Sequence, residues 1–91
     1  MKYHIIWSRK FKKDYKLAMK RGLDIELLDK AILILAETGT LPEQYKDHAL
    51  VGNYEGFREC HIQPDWLLIY KIVDDKLALA LTRTGSHSDL F

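Results

Sequence analysis

A chain of 91 residues makes one small domain, residues 1–91, with room for two helices and a few strands but not for a second independent unit. With 47% hydrophobic and 30% charged residues it is expected to fold as an ordinary globular protein, which excludes disordered and low-complexity readings. Net charge is only +1, and no apolar run reaches the roughly 18 to 20 residues of a membrane span or forms a signal core, so a cytoplasmic protein without a membrane partner is expected.

In chain order, "YHIIW" (Tyr3 to Trp7) is rich in β-branched and aromatic residues and predicts a strand. Ser8 then suits a helix N-cap. From Arg9 to Arg21 the residues Phe11, Tyr15, Ala18 and Met19 share one apolar face, and Gly22 ends the helix. Lys13, Lys16 and Lys20 fall on the opposite face. Residues 1–22 hold eight basic residues against the single acid Asp14, a +7 segment on a −6 body. Such a block is either a solvated helix face or a surface for an anionic partner, nucleic acid or acidic protein.

Asp24 can cap a second helix, "IELLDKAILILAETG", closed by Gly39 and followed by Pro42. Leu28, Ile32 and Leu35 form one apolar row and Leu27, Ala31 and Ile34 another beside it, a stripe wide enough to be sandwiched or to offer surface to a partner. Residues 40–56 mix Pro, Gly, Asn and Asp and read as a long connecting loop. "FRECHIQ", "WLLIYKIV" and "LALALTRTG" follow as three consecutive antiparallel strands, giving the order β-α-α-β-β-β with a short C-terminal tail.

Strand alternation puts Cys60 and Ile62 on one side and Phe57, Glu59, His61 and Gln63 on the other, so His61 faces away from the helices if Cys60 meets them. Cys60 is the only cysteine, which excludes an internal disulfide and a zinc site of paired cysteines. Pro64-Asp65 is a tight turn that brings Asp65 and Trp66 within reach of His61, although Asp65 alone is most simply a turn former. Arg83 breaks the apolar alternation of the last strand and needs a partner, either in a salt bridge or through its bidentate donors to an anion. His87 follows on a turn that leaves the sheet.

Three of the four histidines, His48, His61 and His87, thus stand where loops and strand ends gather, with Asp65 and Arg83 near them in sequence. The set suits metal-free phosphodiester cleavage of RNA, which carries its own nucleophile in the 2′-hydroxyl. The enzyme then supplies a base, an acid for the departing 5′-oxygen and a cation for the phosphate. Imidazole titrates near neutral pH and serves as acid or base, while guanidinium is a permanent charge of phosphate-matched geometry. Trp66 or Phe91 could stack on an unpaired base. A divalent metal held by His61, Asp65 and His87 is a further option.

The loop motif "KDH.L.G", the hairpin motif "H..PDW.LIY" and the tail "RTG.H..LF" occur here in that order. Together they resemble the YafQ-like branch of the RelE/ParE toxin superfamily, small ribosome-dependent mRNA interferases of bacterial toxin–antitoxin pairs, over nearly the whole chain. The resemblance implies an α+β fold, two helices packed on a twisted antiparallel sheet. It implies cleavage of mRNA in the ribosomal decoding site by 2′-oxygen attack, without a cofactor. His48, His61, Asp65 and His87 match the family's acid-base residues, Arg83 its phosphate-stabilising arginine, Phe91 its terminal aromatic and Trp66 a supporting one. Ala49 stands where relatives commonly have proline. The implied partners are the ribosome, mRNA and an acidic, dimeric, DNA-binding antitoxin. The alternative is a binder of the same fold without nuclease activity, as the ParE branch acts on DNA gyrase.

Overall fold

Both long helices begin where the side chains allow their free N–H groups to be satisfied. Ser8 accepts from the Phe11 N–H at 3.0 Å, opening α1 (Arg9–Lys20), and Asp24 accepts from the Glu26 N–H at 3.2 Å, opening α2 (Ile25–Thr38). Gly39 closes α2 with φ of 80°, and a Cβ there would lie 2.7 Å from the Tyr3 ring, so both backbone conformation and close packing call for glycine. The computed structural model, which describes residues 1–91, adds five strands: β1 (His4–Trp7), β2 (His48–Ala49), β3 (Arg58–Gln63), β4 (Trp66–Val73) and β5 (Ala78–Gly85). A four-residue α3 (His87–Leu90) follows.

The strands form one mixed sheet in the order β1-β5-β4-β3-β2. β2 to β5 pair antiparallel as neighbours, while β1 pairs parallel with β5, His4 opposite Ala78 and Trp7 opposite Leu81. The segment expected to be a loop over residues 40–56 contributes the two-residue β2, which pairs His48 with Glu59 and Ala49 with Arg58. Two irregularities reset the alternation. Ile62 is an extra residue between the pairs His61–Leu67 and Gln63–Trp66, and Thr82 is an extra residue between Leu81–Tyr70 and Arg83–Ile69.

One face of the sheet is covered by α1 and α2. Phe11, Leu28, Leu35, Cys60, Leu68, Tyr70, Leu79 and Leu81 are buried there in a cluster of 15 residues. Each large aliphatic side chain so buried contributes about 1.5–3 kcal/mol. The wide stripe of α2 is sandwiched as Leu28, Ala31, Ile32 and Leu35, while Leu27 stays partly exposed. Met19, expected on the apolar face of α1, is exposed because that helix buries only the narrow strip of Phe11 and Ala18. On the other face Leu67, Ile69 and Leu90 form a smaller cluster, with Leu50, Tyr54 and Phe57 packed against it.

Candidate active site

The smaller face carries the histidines. The chain enters β2 through Lys46, whose φ is 51°, and Asp47 anchors that turn by accepting from the Tyr70 hydroxyl at 2.7 Å and from Arg58 Nε at 3.2 Å. His48 follows, its Nδ1 2.9 Å from the Lys46 carbonyl and its Nε2 3.4 Å from the Glu59 carboxylate, which is almost fully buried. Sheet pairing sets His48, Glu59, Ile69 and Arg83 in one row across four strands.

His61 projects from β3, with Nδ1 3.2 Å from the Pro64 carbonyl across the hairpin turn. His87 is the first residue of α3, behind the Ser86 cap. Its backbone N–H donates to Asp65 Oδ1 at 3.0 Å and its ring Nδ1 lies 2.8 Å from the same oxygen. The backbone donor, with the ring behind it, holds the Asp65 carboxyl below the usual carboxylate range. Carbonyls and an ionised carboxylate only accept, so His61 and His87 carry their proton on Nδ1 when neutral and keep the lone pair on Nε2, while His48 has an acceptor beside each nitrogen.

The rings stand in a line. His48 and His61 are 6.4 Å apart between centroids, His61 and His87 6.1 Å, and His87 and Phe91 6.4 Å. Tyr54 extends the line, 5.7 Å from Phe91 and 6.1 Å from Phe57. Phe91 is 64% exposed and offers its ring to solvent beside the imidazoles. Three of the sequence-predicted groups and their Asp65 therefore meet on one surface, with Phe91 at its end. No three His, Cys, Asp or Glu side chains converge as a metal ion requires, so the set His61, Asp65 and His87 is not a preformed metal centre.

Trp66 and Arg83 stand otherwise. Trp66 is 3% exposed, its Nε1–H donating to Thr84 Oγ1 at 3.0 Å, while that hydroxyl donates to the Leu67 carbonyl at 2.7 Å. This corrects the expectation that it stacks on a base, since the indole is spent on the helix-side core. Gln63, expected beside His61, instead pairs with Trp66 because the extra residue Ile62 resets the strand. Arg83 has its salt bridge: Nε donates to Asp14 Oδ2 at 2.7 Å and Nη2 to Asp14 Oδ1 at 3.3 Å, which raises its pKa further. Nη1 is left for another acceptor, and the Tyr54 hydroxyl lies close by. Beside this pair a cleft of about 610 Å³ opens between α1, the Pro64-Asp65 turn and the start of α3, lined among others by Asp14, Arg21, Asp65, Arg83 and Asp89.

Asp14, Glu59 and Tyr54 escaped sequence reasoning as members of this neighbourhood. Only Glu59 left a trace there, as a residue on the His61 side of its strand. Cys60 is buried and its thiol is pushed far up by that burial, which leaves it inert.

The family model for the bacterial toxin of type II toxin–antitoxin systems, YafQ, matches residues 3–91. The mRNA interferase toxin YafQ of Escherichia coli strain K12 is 47% identical over 88 residues, covering 96% of this chain and 94% of that protein. Among solved structures, the YafQ chain of the E. coli DinJ-YafQ complex superposes with a TM-score of 0.86 at 43% identity, covering 98% of both chains. A metal-bound toxin from Helicobacter pylori superposes with a TM-score of 0.90 at 47% identity, covering 98% of this chain and 99% of its own.

Proposed function

The chain belongs to the YafQ family of type II toxin–antitoxin toxins and is an endoribonuclease, an mRNA interferase, and we propose that it cuts mRNA in the ribosomal decoding site by metal-independent acid–base catalysis. The observation that carries this reading is the line of three imidazoles whose Nδ1 atoms are engaged, with Nε2 of His61 and of His87 left for substrate and Nε2 of His48 beside the Glu59 carboxylate. One Nε2 takes the proton of the 2′-hydroxyl as its oxygen attacks the adjacent phosphorus. A second, protonated imidazole gives its proton to the 5′-oxygen as the P–O5′ bond breaks. The products are a 2′,3′-cyclic phosphate and a 5′-hydroxyl. Asp65, ionised beside His87, stabilises the imidazolium when Nε2 of that ring is protonated. Arg83 offers its free Nη1 donors to the phosphate, and Phe91 supplies the stacking surface for a base.

Action on ribosomes places the protein in the cytoplasm, and no helix here is long and apolar enough to cross a membrane. The DinJ-YafQ complex supports a cognate antitoxin as partner, and an acidic, dimeric, DNA-binding protein suits the exposed lysines of α1. The deciding experiment adds purified protein to programmed ribosomes and to the same mRNA alone, mapping 5′ ends, with His87→Ala, Arg83→Ala and a chelator as further arms. Cuts that need ribosomes, carry 5′-hydroxyl ends, survive chelation and vanish in both variants are expected. Cleavage that a chelator abolishes, or that both variants retain, would overturn the mechanism.

A further inference from the structure

Resting on that reading, we propose that α1 aims the active site from behind: Asp14 is a positioning residue for Arg83, and Arg21, just past the helix end, is one for His87 and Phe91. The two residues are seven apart, two helical turns, and so share the face of α1 that borders the cleft.

Asp14 is the only acid in a segment otherwise rich in lysine and arginine, and its side chain is only 13% exposed. Burial of that lone carboxylate is compensated by three donors: two from Arg83 and the Thr84 backbone N–H at 3.1 Å. The backbone donor is available because β1 pairs with β5 only from Ala78 to Leu81, leaving the later residues of β5 without a strand on that side. Asp14 therefore substitutes for a strand at this edge and, with the same carboxylate, fixes the plane of the guanidinium. The Arg83 fork is thereby fixed through Nε and Nη2, with Nη1 outside the pair with Asp14.

Arg21 acts on the tail. Its Nη1 and Nη2 donate to Asp89 at 2.7 and 3.3 Å, and Asp89 also accepts from the Ser86 N–H at 2.9 Å within the cap of α3. Gly85 lets Asp89 come this close, since a Cβ there would lie 2.9 Å from the carboxylate. A helix of four residues has almost no stability of its own, so the placement of His87 depends on such tethers. Asp65 holds it from the hairpin, Leu90 from the small core and Arg21 from α1.

The test measures steady-state cleavage on programmed ribosomes and, separately, hydrogen exchange of the His87 backbone N–H in the free protein. Asp14→Asn is expected to lower kcat by about tenfold or more with KM nearly unchanged. Adding it to Arg83→Ala should cost nothing further. Arg21→Gln, at a more exposed pair, should lower kcat and speed His87 exchange by about three- to fivefold, Arg21→Lys should restore most of both, and in an Asp89→Ala background, where the cap is lost as well, Arg21→Gln should cost nothing further. Losses that add independently, or an Arg21→Gln protein with unchanged kcat and unchanged exchange, would overturn the proposal. If the wild-type protein does not cut mRNA, the functional reading has failed, and the exchange rates still decide whether Arg21 holds α3.

Discussion

Toward the helices the sheet presents a cluster of 15 buried residues running from Phe11 and Leu28 to Tyr70 and Leu81; on its other side the buried hydrophobic cluster has just Leu67, Ile69 and Leu90. The helix side is closed by long amphipathic elements and the other by a two-residue strand, a short turn and a four-residue helix held largely by polar contacts. The chemistry proposed for the histidines stands on the second side. Stability and reactivity are thus divided between two faces of one sheet, with β4, buried on both from Trp66 to Tyr70, as the wall between them.

That division makes substitutions on the two faces fail in different ways. His87→Ala should have the largest effect, a fall in cleavage rate of about 10²- to 10⁴-fold with an unchanged melting temperature. Loss of stability comparable to a core mutant would show that His87 belongs to the fold rather than the chemistry. Leu35→Ala, on the helix side, should cost about 2–5 kcal/mol of stability in denaturant melts, with near-normal cleavage per folded molecule. Phe91→Ala should weaken mRNA engagement by about 1–3 kcal/mol, seen in KM, because the ring is free to stack.

The smallest effect concerns pH. Asp65 is held below the usual carboxylate range in the folded chain, so its stabilisation of α3 is present above its unfolded value of about 3.9 and is lost as pH falls through the folded value. Protection of the α3 amides, their exchange measured against the intrinsic rate at each pH, should fall on acidification through that window in the wild type. Asp65→Asn, already lacking the charge, should show lower protection at neutral pH and little further change below. A wild-type profile flat across the window would mean that Asp65 contributes little to holding α3.

Local chemistry made much of this architecture readable. Ser8, Asp24 and Gly39 mark helix ends because each satisfies a backbone group within a few residues, and the Pro64-Asp65 turn and the alternation around Cys60 are equally local. His48, His61 and His87 stand out by residue type, and geometry brings them together. What sequence could not supply was long-range. The parallel pairing of β1 with β5 spans more than seventy residues, and no hairpin signal announces it. The Asp14 partner of Arg83 lies 69 residues away. Trp66 looked available because it follows a turn, yet the alternation that sets it beside Leu68 and Tyr70 along β4 and the hydroxyl of Thr84 commit it to the core.

The extra residue at Thr82 carries a genetic consequence. Leu79 and Leu81 face the helices, and strict alternation would send Arg83 the same way; the added residue places it opposite Ile69, among the histidines. Deleting the Thr82 codon in frame would only straighten the strand, leaving the arginine opposite Ile69 and Thr84 opposite Leu68; deleting the Arg83 codon instead would let Thr82 take the place opposite Ile69 with the pairing on both sides kept. Of these two three-base deletions, the loss of Arg83, which leaves the sheet intact and removes the proposed phosphate contact, is the one expected among survivors when cells are selected for escape from the toxin.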